Sequence, residues 1–247
     1  MMEKVPAAEP GLAVRVRAQD PDRFLLTLLA PAARREALLL LAAFNHELVR
    51  ALELPSSHGE VGPIGALIRL QWWREVVEGE RRRHEVAGPL AEALARGTLP
   101  REPLLEMIAA REAEAEGFED EQSWREAQLG GAGALQVALG AALGETRQAE
   151  RLRLAGAAYA AGAMLRHRSR ILASGRRPFA PADVDGTLAR SAGLGWLADA
   201  GRVPGRAGLI GVLARRDLGR PADTGGRRGA GDVLALIAAG LTRVVAR

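Results

Sequence analysis

The chain has 247 residues, 48% of them apolar, which suits one large domain with a sizeable core. Aromatic residues make up only 4%, so Leu and Ala must fill that core, and the lack of cysteine excludes disulfides and thiolate metal sites and points to a reducing cytoplasm. A net charge of +4 and a pI near 10.6 raise nucleic acid or anionic lipid as partners, but arginine and glutamate alternate, as across residues 101–126. That is the pattern of a solvated face, and no nucleic-acid motif accompanies it.

In chain order, residues 1–18 are rich in Pro, Gly and Ala and are expected to be a loose N-terminal segment before a single helical domain at 19–247. Asp20-Pro21-Asp22 offers an acidic cap with Pro in the first turn, predicting a helix to Leu29. Pro31 opens a longer helix to about Leu54, closed by Pro55-Ser56-Ser57-His58-Gly59. Further helices are predicted at about 63–79, 87–96, 101–117, 121–143 and 146–173, with Gly97, Pro100, Gly117, Gly144 and Gly175 as breaks. Residues 176–181 read as a loop, and the stretch Ala182 to Asp185 caps a helix to about 199. Two last helices fall near 206–215 and 231–245, with the Gly-rich stretch 225–229 between them reading as a mobile loop. No apolar run is long enough to span a membrane, and no segment alternates at period two, so the fold class is all-α.

Residues 155–163 are all small apart from Tyr159, the composition of a helix at the centre of a bundle. Gly130, Gly131, Gly133 and Gly140 read the same way, because no strand precedes them and no Lys-Ser/Thr follows, as a phosphate loop requires.

Four segments in order carry a resemblance: Asp20 through Ala37, Leu41-Ala-Ala-Phe-Asn-His-Glu-Leu-Val-Arg50, Ile68-Arg-Leu-Gln-Trp-Trp-Arg-Glu75 with the helix holding Leu104 to Glu114, and Met164-Leu165-Arg166 through Gly175-Arg176. Across roughly residues 20–185 the chain resembles the squalene/phytoene synthases, the head-to-head prenyl transferases. It looks most like a divergent branch that includes a mitochondrial respiratory complex I assembly factor. The resemblance implies a helical bundle around a central cavity, prenyl diphosphate substrates, and magnesium held by two Asp-rich motifs on facing helices. Magnesium suits that task as a hard ion that stabilises a departing pyrophosphate and prefers carboxylate oxygens.

The motif positions do not supply those carboxylates. The first motif falls on Val49-Arg50-Ala51-Leu52-Glu53, where Glu53 alone is acidic; the second falls on His167-Arg168-Ser169-Arg170-Ile171, where none is. Glu47, Glu112 and Glu114 lie on helices expected to face the cavity, and Glu114 matches an acidic position of the family, although a solvated helix face explains Glu112 and Glu114 as simply. Arg74, Arg166, Arg168 and Arg170 could meet diphosphate directly through bidentate guanidinium geometry, with an ion pair to a nearby Glu as the structural alternative for Arg74. Trp72 and Trp73 suit core and groove-edge packing, or, as the second reading of Trp73, an aromatic cavity wall. His46 and His167 have no ligand partner at a convincing spacing and suit polar packing.

Two function classes follow. In the first, catalysis has been lost and the chain acts by binding a prenyl diphosphate, an isoprenoid lipid or a respiratory-complex protein, with no cofactor. In the second it is a transferase joining two prenyl diphosphates, with Mg2+ on Glu53, Glu112 and Glu114. Peripheral contact with the inner face of a membrane fits either; a protein binding membrane or nucleic acid through charge alone ranks last, because no basic cluster exceeds Arg81-Arg82-Arg83.

Overall fold

A computed structural model describes residues 11–53, 63–226 and 228–245, the side chains of 243–245 excepted. Among them there is no strand. The helices are α1 (Leu12–Gln19), α2 (Pro21–Leu28), α3 (Ala32–Glu53), α4 (Pro63–Glu78), α5 (Ala87–Ala95), α6 (Arg101–Glu116), α7 (Glu121–Gln128), α8 (Ala134–Ala142), α9 (Ala149–Arg166), α10 (Arg168–Ala173), α11 (Thr187–Ala200), α12 (Ile210–Leu218) and α13 (Ala230–Val245). The all-α expectation holds, and the predicted turn Pro55 to Gly59 lies outside the described residues.

Local chemistry sets the helix starts. Asp20 accepts from the Arg23 backbone N–H at 2.9 Å with Pro21 in the first turn, and Asp120 and Ser123 exchange reciprocal bonds at the start of α7. Buried Asp183 accepts from Leu188 N and Ala189 N, fixing the loop that leads into α11.

Three expectations need correction. Residues 12–18 are helical, because Val16 is buried in the core and Arg15 donates to Glu47 at 2.8 Å and pairs with Glu85. The predicted helix 121–143 contains a π-turn at Leu129–Gly133, where three glycines let the backbone widen. The predicted helix 146–173 breaks at His167, which separates α9 from α10.

Apolar side chains form two clusters, one built on α1, α3, α4, α5, α6 and α8, the other on α7, α9, α11, α12 and α13. Helix α9 packs most extensively on α11 and α12 and also on α8 and the π-turn, so the small-residue run does its work in packing. A Cβ on Gly156 would meet the Ala132 carbonyl and come within 2.7 Å of Gln136 Cβ; one on Gly162 would lie 2.9 Å from Asp217 Cβ. Larger side chains at either place would push α9 off its neighbours.

Candidate functional site

The polar groups of the candidate site come from α2, α3, α6, α9, α12 and two loops. Glu114 of α6 is 4% exposed and is the focus of the first group. Arg176, from the loop after α10, donates to both its oxygens, Nε to Oε1 at 2.9 Å and Nη2 to Oε2 at 3.0 Å, while Arg111 donates to Oε2 at 2.7 Å. The Arg176 guanidinium also stands 3.9 Å from Glu53, the single acid of the first motif. Arg176 thus lies between two carboxylates carried by different helices, the position a bridging cation would take. Burial pushes the Glu114 carboxyl up, but Arg176 and Arg111 outweigh that and hold it below its ordinary value.

Three arginines meet here, each beside a carboxylate. Burial, with Arg176 and Arg23 adding to it, depresses the Arg111 pKa in spite of Glu114. Arg23 is itself buried; it donates to Asp20 at 2.7 Å, stacks 5.0 Å over the Tyr159 ring, and its Nε has no hydrogen-bond partner.

A second buried network closes the end of α9. Arg228 donates to both oxygens of Asp22 and of Asp217, and Arg166 donates to Asp22 at 3.2 Å and to the Gly226 carbonyl. Tyr159 donates its hydroxyl to Asp22 at 2.9 Å. Burial raises the Asp22 pKa, yet the bonds and charges of Arg228 and Arg166 bring it below the ordinary carboxylate value. Within the stretch read as a mobile loop, Gly225 N donates at 2.9 Å to the Arg166 carbonyl and Arg228 is bound as above; just before it, Asp223 N donates at 2.9 Å to the Leu165 carbonyl and Asp223 accepts from Ser169 N at the start of α10. These bonds tie Asp223, Gly225 and Gly226 to the residues on either side of the helix break where the second motif falls.

The other expected residues are placed as follows. Arg166 is buried in the network just described, where Asp22 and the Gly226 carbonyl accept from it. Arg74 takes the alternative given for it, donating to Glu112 at 2.6 Å, and Glu112 is thereby paired rather than solvated alone. Glu114 is buried, not on a solvated face. Val49 is partly buried, Arg50 is exposed and lies 3.7 Å from Glu47, and Arg170 is exposed beside the partly buried Ile171. Arg168 donates to the Val184 carbonyl and stacks 5.5 Å over Phe179. His46 and His167 are partly buried; burial lowers both pKa values, helped at His167 by Arg166 and Arg170.

Trp73 is buried, with its ring edge-on to Phe44, Trp72 and His84 at 4.9 to 5.5 Å. It lines a groove of about 230 Å³ with Glu47, Arg50, Ala51, Arg69, Trp72 and His84. The groove shares no lining residue with the Glu114 centre of Glu53, Arg111, Glu114 and Arg176. Ligand atoms of Glu47, His84 and Glu85 lie within 4.8 Å of one another, but Arg15 holds both carboxylates and His84 Nδ1 accepts from Val86 N and Ala87 N.

Magnesium requires several carboxylate oxygens around one point. At the motif positions Val49, Arg50, His167, Arg170 and Ile171 offer none, and Glu53, Glu112 and Glu114 each face a guanidinium. The residues present do not fit a magnesium cluster. Sequence reasoning missed Arg111, Arg176, Arg228 and Asp217. Only the i to i+3 spacing of Arg111 and Glu114 gave a local signal.

Among solved structures, a dehydrosqualene synthase in complex with ligand is similar at a TM-score of 0.67 and 12% identity, over 96% of both chains. The squalene synthase HpnC from Alicyclobacillus acidocaldarius is similar at a TM-score of 0.61 and 18% identity, over 94% of this chain and 93% of that one. These likenesses establish the all-α isoprenoid synthase fold, while no curated protein matches the sequence. The squalene/phytoene synthase family model matches residues 16–170, well over half the sequence, and with that match the chain belongs to the squalene/phytoene synthase family.

Proposed function

We propose that this chain is a non-catalytic member of its family that binds an isoprenoid diphosphate or a related anionic lipid without metal. One observation carries the reading: Arg176 stands between Glu53 and Glu114, where a metal-dependent relative would need free carboxylates. The guanidinium groups of Arg111 and Arg176, gathered beside Glu114 and Glu53, offer the bidentate donors that an anionic head group needs. A working transferase would instead have to free Glu53, Glu112 and Glu114 from Arg176, Arg74 and Arg111 before any of them could hold an ion.

The protein partner we propose is a respiratory-complex component, on the resemblance of the sequence to the assembly-factor branch, and the place of action is the cytoplasm or the inner face of its membrane. No helix among the described residues is long and apolar enough to cross a membrane, which is consistent with peripheral contact. The test is incubation of purified protein with farnesyl or geranylgeranyl diphosphate and Mg2+. No pyrophosphate should be released beyond a protein-free blank. Release that exceeds a Glu53→Ala control would overturn the non-catalytic reading.

A further inference from the structure

The groove beside Trp73 lies between two matching helix faces. On α3, Glu47, Arg50 and Ala51 share one face at i, i+3 and i+4; on α4, Arg69, Trp72 and Trp73 repeat that spacing, and His84, in the segment before α5, completes the lining. Arg69 donates Nε and Nη2 to the Ala51 carbonyl at 2.9 and 2.7 Å, which ties the two helices together.

The aromatic part of the lining is rigid. Trp72, Trp73 and His84 stand edge-on to one another with ring centroids 4.9 to 5.8 Å apart, and His84 is fixed because its Nδ1 accepts from Val86 N and Ala87 N. In the neutral ring that leaves the proton on Nε2, a donor. The two charged groups that α3 contributes are of opposite sign and only loosely matched. Glu47 is buried, and its Oε1 accepts from Arg15, which also pairs with Glu85. Its Oε2 accepts no hydrogen bond among the described residues: Arg50 is 3.7 Å from it, beyond hydrogen-bond reach, and 51% of the Arg50 side chain is exposed.

We infer that this groove binds a free α-amino acid with an aliphatic side chain, its ammonium on Glu47 Oε2, its carboxylate on Arg50 and its side chain against the indoles. A lone anion would meet the uncovered Glu47 oxygen and a lone cation would meet Arg50, whereas a zwitterion answers both. The volume sets the size: about 230 Å³ holds roughly eight water-sized groups of about 30 Å³ each, room for valine or leucine and too little for a nucleotide or a prenyl chain. The inference goes beyond the proposed diphosphate binding and shares no residue with it.

The test is calorimetric titration of the full chain with three probes that carry one side chain. L-leucine has both charges, L-leucinamide keeps the ammonium without the carboxylate, and isocaproate keeps the carboxylate without the ammonium. Leucine should bind about tenfold or more tightly than either, because each of the others forfeits one charge-assisted contact. Arg50→Ala should weaken leucine binding by about tenfold or more while leaving leucinamide within about twofold of the parent, and Arg50→Lys should recover part of the loss. The leucinamide arm, with helical circular dichroism, shows that the groove of the variant is intact. No binding of leucine, affinities for the three probes within about threefold of one another, or an Arg50→Ala variant that binds leucine as the parent does would each overturn the inference. Displacement of leucine by geranylgeranyl diphosphate would also overturn it, since both would then share one site. A chain that binds leucine and no prenyl diphosphate would sink the diphosphate reading and leave this one standing.

Discussion

Replacing Arg176 by Ala strips Glu114 of two of its three hydrogen bonds while leaving it 4% exposed. Removing one partner of a buried ion pair costs about 3 to 5 kcal/mol, and because Arg111 stays in place the lower end, about 3 kcal/mol, is expected. For a chain of this length that is a fall in Tm of about 6 to 12 °C. Urea and thermal unfolding followed by helical circular dichroism read it directly. Arg74→Ala provides the contrast: its pair with Glu112 is about a quarter exposed on both sides, so solvent screening holds the loss to about 1 kcal/mol or less. The pH dependence follows with its sign. Glu114 titrates below its ordinary value of 4.5 in the folded chain, so its contribution is complete above that pH and is lost as pH falls through the folded value. Arg176→Ala should shrink this acid-side loss. A variant as stable as the parent to within about 0.5 kcal/mol, with an unchanged acid limb, would refute the view that Arg176 fills the place of a cation.

Other outcomes are equally specific. Arg228→Ala leaves Asp22 buried with Arg166 and Tyr159, and Asp217 buried with Arg166 and Arg220 at 3.9 Å each, and urea unfolding should show a loss of about 3 to 5 kcal/mol; Lys at 228 should restore little of it, since one ammonium cannot match two bidentate carboxylates. Gly156→Ala forces a methyl against the Ala132 carbonyl and Gln136, and should lower stability by about 1 to 3 kcal/mol or more. Gly195→Ala, inside α11 with nothing within 4 Å of the new carbon, should raise it by about 0.5 to 1 kcal/mol. Similar Tm changes for these two glycine variants would contradict the packing assigned to α9.

How much of this was legible in the sequence depends on the range of the interaction. The helices followed from Asp20-Pro21, Pro31 and the glycine breaks, all of which act within one turn. The two degenerate motifs were legible too, because the resemblance to the family assigns their positions. The residues that took over the polar centre were not. Arg176 is 62 positions from Glu114, and Arg228 is 206 from Asp22. No periodicity links such pairs, and both arginines sit in segments that composition marks as loops. Residues 12–18 failed as a loose segment for the same reason: Arg15 is fixed by Glu47, 32 residues away. Arg166 was placed on the right helix, but its Asp22 and Asp217 partners were invisible locally.

The most direct test of the central claim is calorimetric titration of the chain with geranylgeranyl diphosphate, once in excess EDTA and once in Mg2+. Arginine in place of metal predicts binding in EDTA within about threefold of that in Mg2+, and weaker by about tenfold or more in Arg111→Ala. Binding that appears only when Mg2+ is present, or no binding in EDTA at all, would contradict it.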